Sequence, residues 1–143
     1  MPISLKQATE IAEAAFEEGR RLALQPLTIA ILDSGGCLIL LMRDDGSSLL
    51  RPEIALGKAW GVLGMGFGGY ELARRAEQAP QFFTALSSMS HGRMVPVPGG
   101  VIVRDKNGAV QGSVGISGDA SVQDSRCAVV GIVAAKFVAD TGE

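Results

Sequence analysis

The chain has 143 residues, 47% of them hydrophobic, with a formal charge of −2, so length and composition point to one soluble globular domain able to bury a real core. No basic surplus is present to neutralise a phosphate backbone, which argues against nucleic acid as a partner. The first residues, MPISLKQATE, have neither a basic n-region nor an apolar h-region, and the uncharged stretch Ala59 to Tyr70 is rich in glycine and short of the roughly 20 residues a membrane span needs. A cytoplasmic protein is expected.

In chain order, Ser4 and Gln7 have capping-box spacing, and Leu5, Ala8, Ile11, Ala12, Ala15, Leu22 and Ala23 recur at helical intervals opposite Glu10, Glu13, Glu17 and Glu18. This predicts an amphipathic helix that ends before Pro26. LTIAIL (27–32) and CLILLM (37–42), separated by Asp33-Ser34-Gly35-Gly36, predict a hairpin of two largely buried strands, so both faces of the sheet should be covered. Arg43 to Ser48 is a polar loop. Pro52 and Glu53 suit the first turn of a second helix, whose buried side would carry Ile54, Ala55, Ala59, Val62 and Leu63. Gly57 and Gly61 share one of its faces and would permit close packing, and the glycines at 64, 66, 68 and 69 end or kink it. Tyr70 to Gln78 resumes as a short helix, and Pro80 to Ser90 reads as a further helical turn and a loop.

Arg93 to Val97 reads as a short strand before the Pro98-Gly99-Gly100 turn. VIVRDK (101–106) and AVQGSVGI (109–116) flank Asn107-Gly108, a pair that favours a type I′ hairpin turn. Asp119 or Ser121 is placed to cap a last helix. That helix is apolar around most of its circumference from Ala128 to Val138, so it should be well buried or packed in an oligomer. The order predicts an α+β fold: an antiparallel sheet with the terminal helices on one side and the middle helices on the other.

Cys37 and Cys127 lack metal-ligand spacing; a lone disulfide is open to them, but they read first as reduced core thiols. With one histidine in the chain, a closed zinc site is disfavoured. Gly64, Gly66 and Gly69 fit a G-x-G-x-x-G pattern, but they follow a helical segment rather than a strand, and the dinucleotide reading fails on that context.

The order and spacing of several pieces carry a resemblance. They are the capped first helix, the Val/Ile-rich strand ending in Asp33-Ser34-Gly35-Gly36, Ala55-Leu56-Gly57-Lys58-Ala59, Val95-Pro96-Val97-Pro98-Gly99-Gly100, and Gly115-Ile116-Ser117-Gly118 followed by Gln123-Asp124. With these, the chain resembles the GlcG/HbpS-like family, often labelled haem-degrading and also found as the C-terminal domain of PduO-type corrinoid adenosyltransferases. The resemblance implies a profilin-like sheet of about five strands flanked by helices, assembly into dimers or larger oligomers, and haem as the leading ligand. It also matches Lys58 to the family's usual lysine. Function transfers less well than fold.

The residues themselves offer several chemistries. His91 alone titrates near neutrality when unperturbed, and it precedes a glycine- and proline-rich loop, so it is a candidate axial haem ligand or general acid/base. Met94, Val97 and Phe67 could supply an apolar slot beside it. Arg43, Arg51 and Arg93 are candidates to clamp a carboxylate bidentately. Lys58 could approach the pocket or pair with a carboxylate such as Asp33. Pro98-Gly99-Gly100 and Ser117-Gly118 are backbone features whose glycines would let a ligand approach main-chain N–H groups, and the helix start after Gly118 would favour an anion. Asp119 and Asp124 read as capping groups. Three readings follow: a haem- or tetrapyrrole-binding oligomer; an enzyme on a small organic acid with Arg43, Arg51 or Arg93 holding the carboxylate, His91 as acid/base and Asp33 or Lys58 orienting it; and a non-catalytic assembly module.

Overall fold

The computed structural model describes residues 2–143, which form five helices around one five-stranded sheet. Helix α1 (Leu5–Arg21) starts where Ser4 Oγ accepts from the Gln7 amide while the Gln7 side chain accepts from the Ser4 amide, satisfying two N–H groups the helix leaves free. Strands β1 (Thr28–Asp33) and β2 (Leu38–Arg43) form the first hairpin, and Asp33 Oδ1 fastens its turn by accepting from the Gly35 and Cys37 amides. Helix α2 (Arg51–Met65) has Pro52 in its first turn and stops at Gly66, whose φ of 78° suits a residue without Cβ. Helices α3 (Gly69–Gln78) and α4 (Pro80–Met89) follow, then β3 (Gly100–Arg104), β4 (Val110–Ser117), α5 (Ser121–Ala134) and β5 (Val138–Asp140).

The strands run in the order β2-β1-β4-β3-β5, every neighbour antiparallel. Alternation along β1 sends Ile29 and Ile31 to one face, where they meet Ile11, Ala12 and Ala15 of α1 and Ala128 and Ile132 of α5. Thr28, Ala30 and Leu32 point to the other face, which α2 covers with α3 and α4 outside it. Terminal helices on one side and middle helices on the other is the arrangement that the pattern predicted.

Several local expectations are corrected. β1 is buried but β2 is not: Leu38, Leu41 and Met42 are exposed because β2 is an edge strand that α2 barely reaches. Arg93 to Val97 is not a strand. Pro96 and Pro98 remove ladder donors, and the Val95 amide instead donates to Gly57 O at 3.2 Å, docking the segment on α2. The fifth strand lies at Val138–Asp140, expected as the end of the last helix; that helix closes at Ala134, and Lys136 takes a left-handed φ of 67°. Nor is α5 buried all round, since Val122 and Val133 face solvent. Pro80 to Met89 is a full ten-residue helix rather than a single turn.

The β3–β4 turn is not type I′. Only Gly108 has positive φ; its amide donates to Asp105 O, and Asp105 Oδ1 accepts from the Asn107 and Ala109 amides, so the aspartate sets the turn. Helix α5 has Ala120 at its N-cap without a side-chain cap, in place of Asp119 or Ser121. Both cysteines are free, but only Cys127 is in the core, where burial pushes its thiol up to about 11; Cys37 is exposed.

Candidate functional site

Helix α2 lies across β4, β1 and β3 because its inner face is small: Ala55, Gly57, Lys58, Ala59, Gly61 and Val62 are buried. Lys58 extends into this contact at 3% exposure. Its Nζ donates to Ile116 O at 2.9 Å and to Asp124 Oδ2 at 3.1 Å, and Asp124, fully buried, accepts the Asp119 amide on its other oxygen. Burial lowers the Lys58 pKa and raises that of Asp124, and each partner's charge opposes the shift of the other. The pair joins α2, β4 and α5.

Asp33 takes no part in this pair. It sits opposite Gly112, at the far end of β1 from the Thr28–Ser117 register, with its carboxylate committed to the hairpin turn. Pro98 to Gly100 crosses over α2 against the lysine. A Cβ on Gly99 would come within 2.7 Å of Lys58 Nζ, and one on Gly100 within 2.9 Å of Val62 Cγ1. Tight backbone approach explains these glycines without a ligand.

The most apolar cleft among the described residues lies elsewhere, with a volume of about 390 Å³ between α2 and the exposed strand. Leu32 and Leu38 pair across the β1–β2 ladder and share the face toward α2. Leu56 and Trp60, one helical turn apart on α2, form the opposite wall together with Gly57, and Glu53 stands at its end. The roof is the turn after α4. His91 and Gly92 both have left-handed φ, 57° and 73°, and the Gly92 amide donates to Ser87 O at 2.7 Å, reversing the chain over the cleft. Arg93 then stacks its guanidinium over the Trp60 ring, 4.3 Å from the centroid, while Nε donates to Ser90 O. Gly57 admits this loop, since a Cβ there would stand 2.5 Å from Val95 Cγ2 and 2.8 Å from Arg93 O.

The structure brings His91 and Arg93 to one cleft but separates the other expected ligands. Arg43 is exposed at the end of β2, opposite Thr28. Arg51, at the start of α2, donates to Ser117 Oγ at 3.0 Å and to Ser48 Oγ at 3.2 Å. A three-arginine carboxylate clamp is therefore not formed, because strand β2, the start of α2 and the end of α4 deliver the three side chains to different places. Met94 is 8% exposed and packs with Val62, Leu72, Phe83 and Ile102 beneath Gly61 rather than lining the cleft. Phe67 lies under Arg75, 4.0 Å from its centroid, and Val97 sits over Gly69; neither lines the cleft. Ser117 is buried, and Gly118 packs against Pro26 O and Leu27 Cα.

Sequence reasoning missed Leu32, Leu38, Glu53, Leu56 and Trp60 as cleft residues. A signal was present: the chain's one tryptophan sits at i+4 from Leu56 on a helix already narrowed by Gly57 and Gly61. Among the described residues, no group of three or more histidine, cysteine or acidic side chains is placed to hold a metal ion, and no helix is long and apolar enough to cross a membrane.

Residues 3–133 match the family model described as "Haem degrading protein HbpS-like". The chain is 28% identical over 134 residues to a corrinoid adenosyltransferase PduO of Citrobacter freundii, covering 94% of this chain but 39% of that protein. It therefore spans about two fifths of these curated relatives. An uncharacterised 15.0 kDa protein of C. freundii is 29% identical, with 85% of this chain and 84% of that protein covered. Among solved structures, a PduOC:heme complex superimposes with a TM-score of 0.87 at 26% identity over the full length of both chains. HbpS superimposes with a TM-score of 0.79 at 25% identity, covering 93% of this chain and 89% of that one.

Proposed function

The chain belongs to the HbpS-like family, and on that footing we propose that it binds haem or a closely related tetrapyrrole in the cleft between β2, α2 and the His91 turn. One observation carries the reading: an apolar slot faced by the only tryptophan has an exposed imidazole and a stacked guanidinium on the same rim. A tetrapyrrole needs those three things: apolar walls for its ring faces, a nitrogen donor for its metal, and a cation for its carboxylates. The donor set fits.

In that arrangement Leu32, Leu38, Leu56 and Trp60 would exclude water from the ring, and His91 would offer a nitrogen ligand to its metal. Arg93 meets a propionate with the donors its Ser90 contact leaves open. A ligand larger than the slot extends over Leu38 and Leu41, which face the same side of the sheet and are exposed. Bound haem would supply iron-centred chemistry whose course depends on the residue that ligates it. The organic-acid enzyme is not favoured, because Asp33, Lys58 and Arg43 lie outside the cleft. The open β2 edge supports one addition: copies of the chain associate there.

Titration with hemin tests the reading. The expected result is a saturable Soret shift with quenching of Trp60 fluorescence. His91→Ala should retain quenching, with about tenfold or more weaker binding and an altered Soret band, since a single ligand bond is lost. If the wild-type protein shows neither a Soret shift nor quenching, the proposal is wrong.

A further inference from the structure

The slot between α2 and β2 carries an opposite charge at each end. Glu53, Leu56, Gly57 and Trp60 fall at i, i+3, i+4 and i+7 on α2 and make one stripe along the cleft wall. Glu53 closes that stripe at its N-terminal end. Arg93 closes it at the other, with its guanidinium 4.3 Å from the centroid of the Trp60 ring. Glu53 and Trp60 stand roughly 10 Å apart along the helix axis, close to the width of a porphyrin ring.

Neither charge is spent inside the protein. Glu53 is exposed and makes no ion pair with any described cation, and Arg93 makes none with any described carboxylate. Arg93 Nε donates to Ser90 O, which leaves the other N–H groups of the guanidinium open. The helix dipole favours a carboxylate anywhere in the first turn of α2. Only position 53 of that turn lies in line with Leu56, Gly57 and Trp60, so the dipole explains the residue type and not its place at the mouth of an apolar slot.

The two ends sort tetrapyrroles by where their carboxylates lie, a selectivity that rests on the tetrapyrrole reading of the slot. In haem b both propionates sit along one edge, and the opposite edge carries vinyl groups. In a four-propionate porphyrin such as coproporphyrin III, the opposite edge carries carboxylates as well. A ring whose propionates meet Arg93 turns its other edge toward Glu53. Vinyl groups there meet the apolar wall, whereas carboxylates meet a like charge beside a low-dielectric surface. We propose that Glu53 makes the slot selective for tetrapyrroles with carboxylates along one edge only. Arg93 attracts the acidic edge, Glu53 repels a second one, and the ring enters in one direction.

The experiment titrates hemin and iron coproporphyrin III into the wild type, Glu53→Gln and Glu77→Gln, reading the quenching of Trp60, the only tryptophan. Glu77, exposed on α3 and outside the cleft, controls for the change in net charge. The quantity compared is the ratio of the two affinities, because the difference in ring polarity is common to all the proteins and cancels between them. At low salt, Glu53→Gln should lower the preference for hemin by about threefold or more, as an exposed like-charge contact allows, with hemin affinity itself near that of the wild type. Raising sodium chloride to about 0.5 M should shrink the wild-type preference and leave that of Glu53→Gln nearly unchanged, because exposed charges are screened. Glu77→Gln should keep the wild-type ratio. An unchanged ratio in Glu53→Gln, or an equal change in Glu77→Gln, overturns the selectivity while hemin binding stands. Failure of the wild type to bind hemin is a separate result, which removes the tetrapyrrole reading and the selectivity with it.

Discussion

At the scale of single residues, Lys58 has the most consequential environment. Its ammonium and the Asp124 carboxylate are withdrawn from water, and each is tolerable only because the other is present. Lys58→Met fits the aliphatic path but strands the carboxylate, which should cost about 3–5 kcal/mol and lower the melting temperature by roughly 10–20 °C. Adding Asp124→Asn removes the orphaned charge and keeps an acceptor for the Asp119 amide, so the double variant should recover more than half of that loss. Thermal melts followed by circular dichroism read both values. A single variant melting with the wild type would show that the pair is solvated and not a structural tie. The same geometry decides against Lys58 as a nucleophile, since its Nζ is enclosed by Gly99, Ile116 O and Asp124.

At the scale of elements, the apolar cleft exists because α2 approaches the chain closely on two sides. Gly57 is the contact with the His91 loop, and Gly57→Ala must push Val95 and the Arg93 carbonyl outward. The methyl group should destabilise the fold by about 1–3 kcal/mol, as overpacking does, and should also weaken hemin binding, because the displaced backbone carries His91 and Arg93. Gly64→Ala, also in α2 but where a Cβ meets nothing within 4 Å, is the control: it should leave hemin binding unchanged and, by helix propensity, stabilise the fold by up to about 1 kcal/mol. Equal hemin affinity in the two variants would detach the loop from the site. How far such features are legible in the sequence depends on how local their causes are. The Ser4–Gln7 capping box, Pro52 at the start of α2 and the turn glycines act within a few residues, and the sequence displays them. The Asp105 turn resembles a type I′ signal only if the dipeptide is read without the carboxylate that organises it. β5 has three residues and no pattern of its own; it exists because β3 offers an edge. The partner of Lys58 lies 66 residues away, and it is Asp124 because α5 brings that carboxylate to Lys58, while the Asp33 carboxylate is committed to the β1–β2 turn. The division of Arg43, Arg51 and Arg93 among different places is a fact of topology that no local spacing records.

At the scale of the whole molecule, the sheet ends differently on its two sides. β5 is a three-residue strand that presents little unpaired backbone, whereas β2 is six residues long, carries neither proline nor lysine, and exposes Leu38, Leu41 and Met42. Native edge strands are usually blunted by charge, proline or cover, and β2 has only the register irregularity near Leu38 and the terminal Arg43. The loop beyond it adds Leu49, 86% exposed, and Leu50, 63% exposed. Leucines presented in this density to water mark a contact surface. A second copy of the chain is the economical occupant, because two antiparallel β2 edges would pair their free N–H and C=O groups around a two-fold axis and cover the leucines on both sides. Light scattering at micromolar concentration should therefore give at least twice the 14.8 kDa chain mass. Leu41→Lys should shift that equilibrium toward the monomer by placing a charge on each facing strand, while Val133→Lys, on the exposed side of α5, should not. Since Leu38 borders the apolar cleft, association and hemin binding should also be linked: if the paired form binds hemin better, hemin favours pairing by the same factor. A wild-type protein that is monomeric with and without hemin would remove both the interface and the linkage, leaving the cleft of a single chain to account for binding alone.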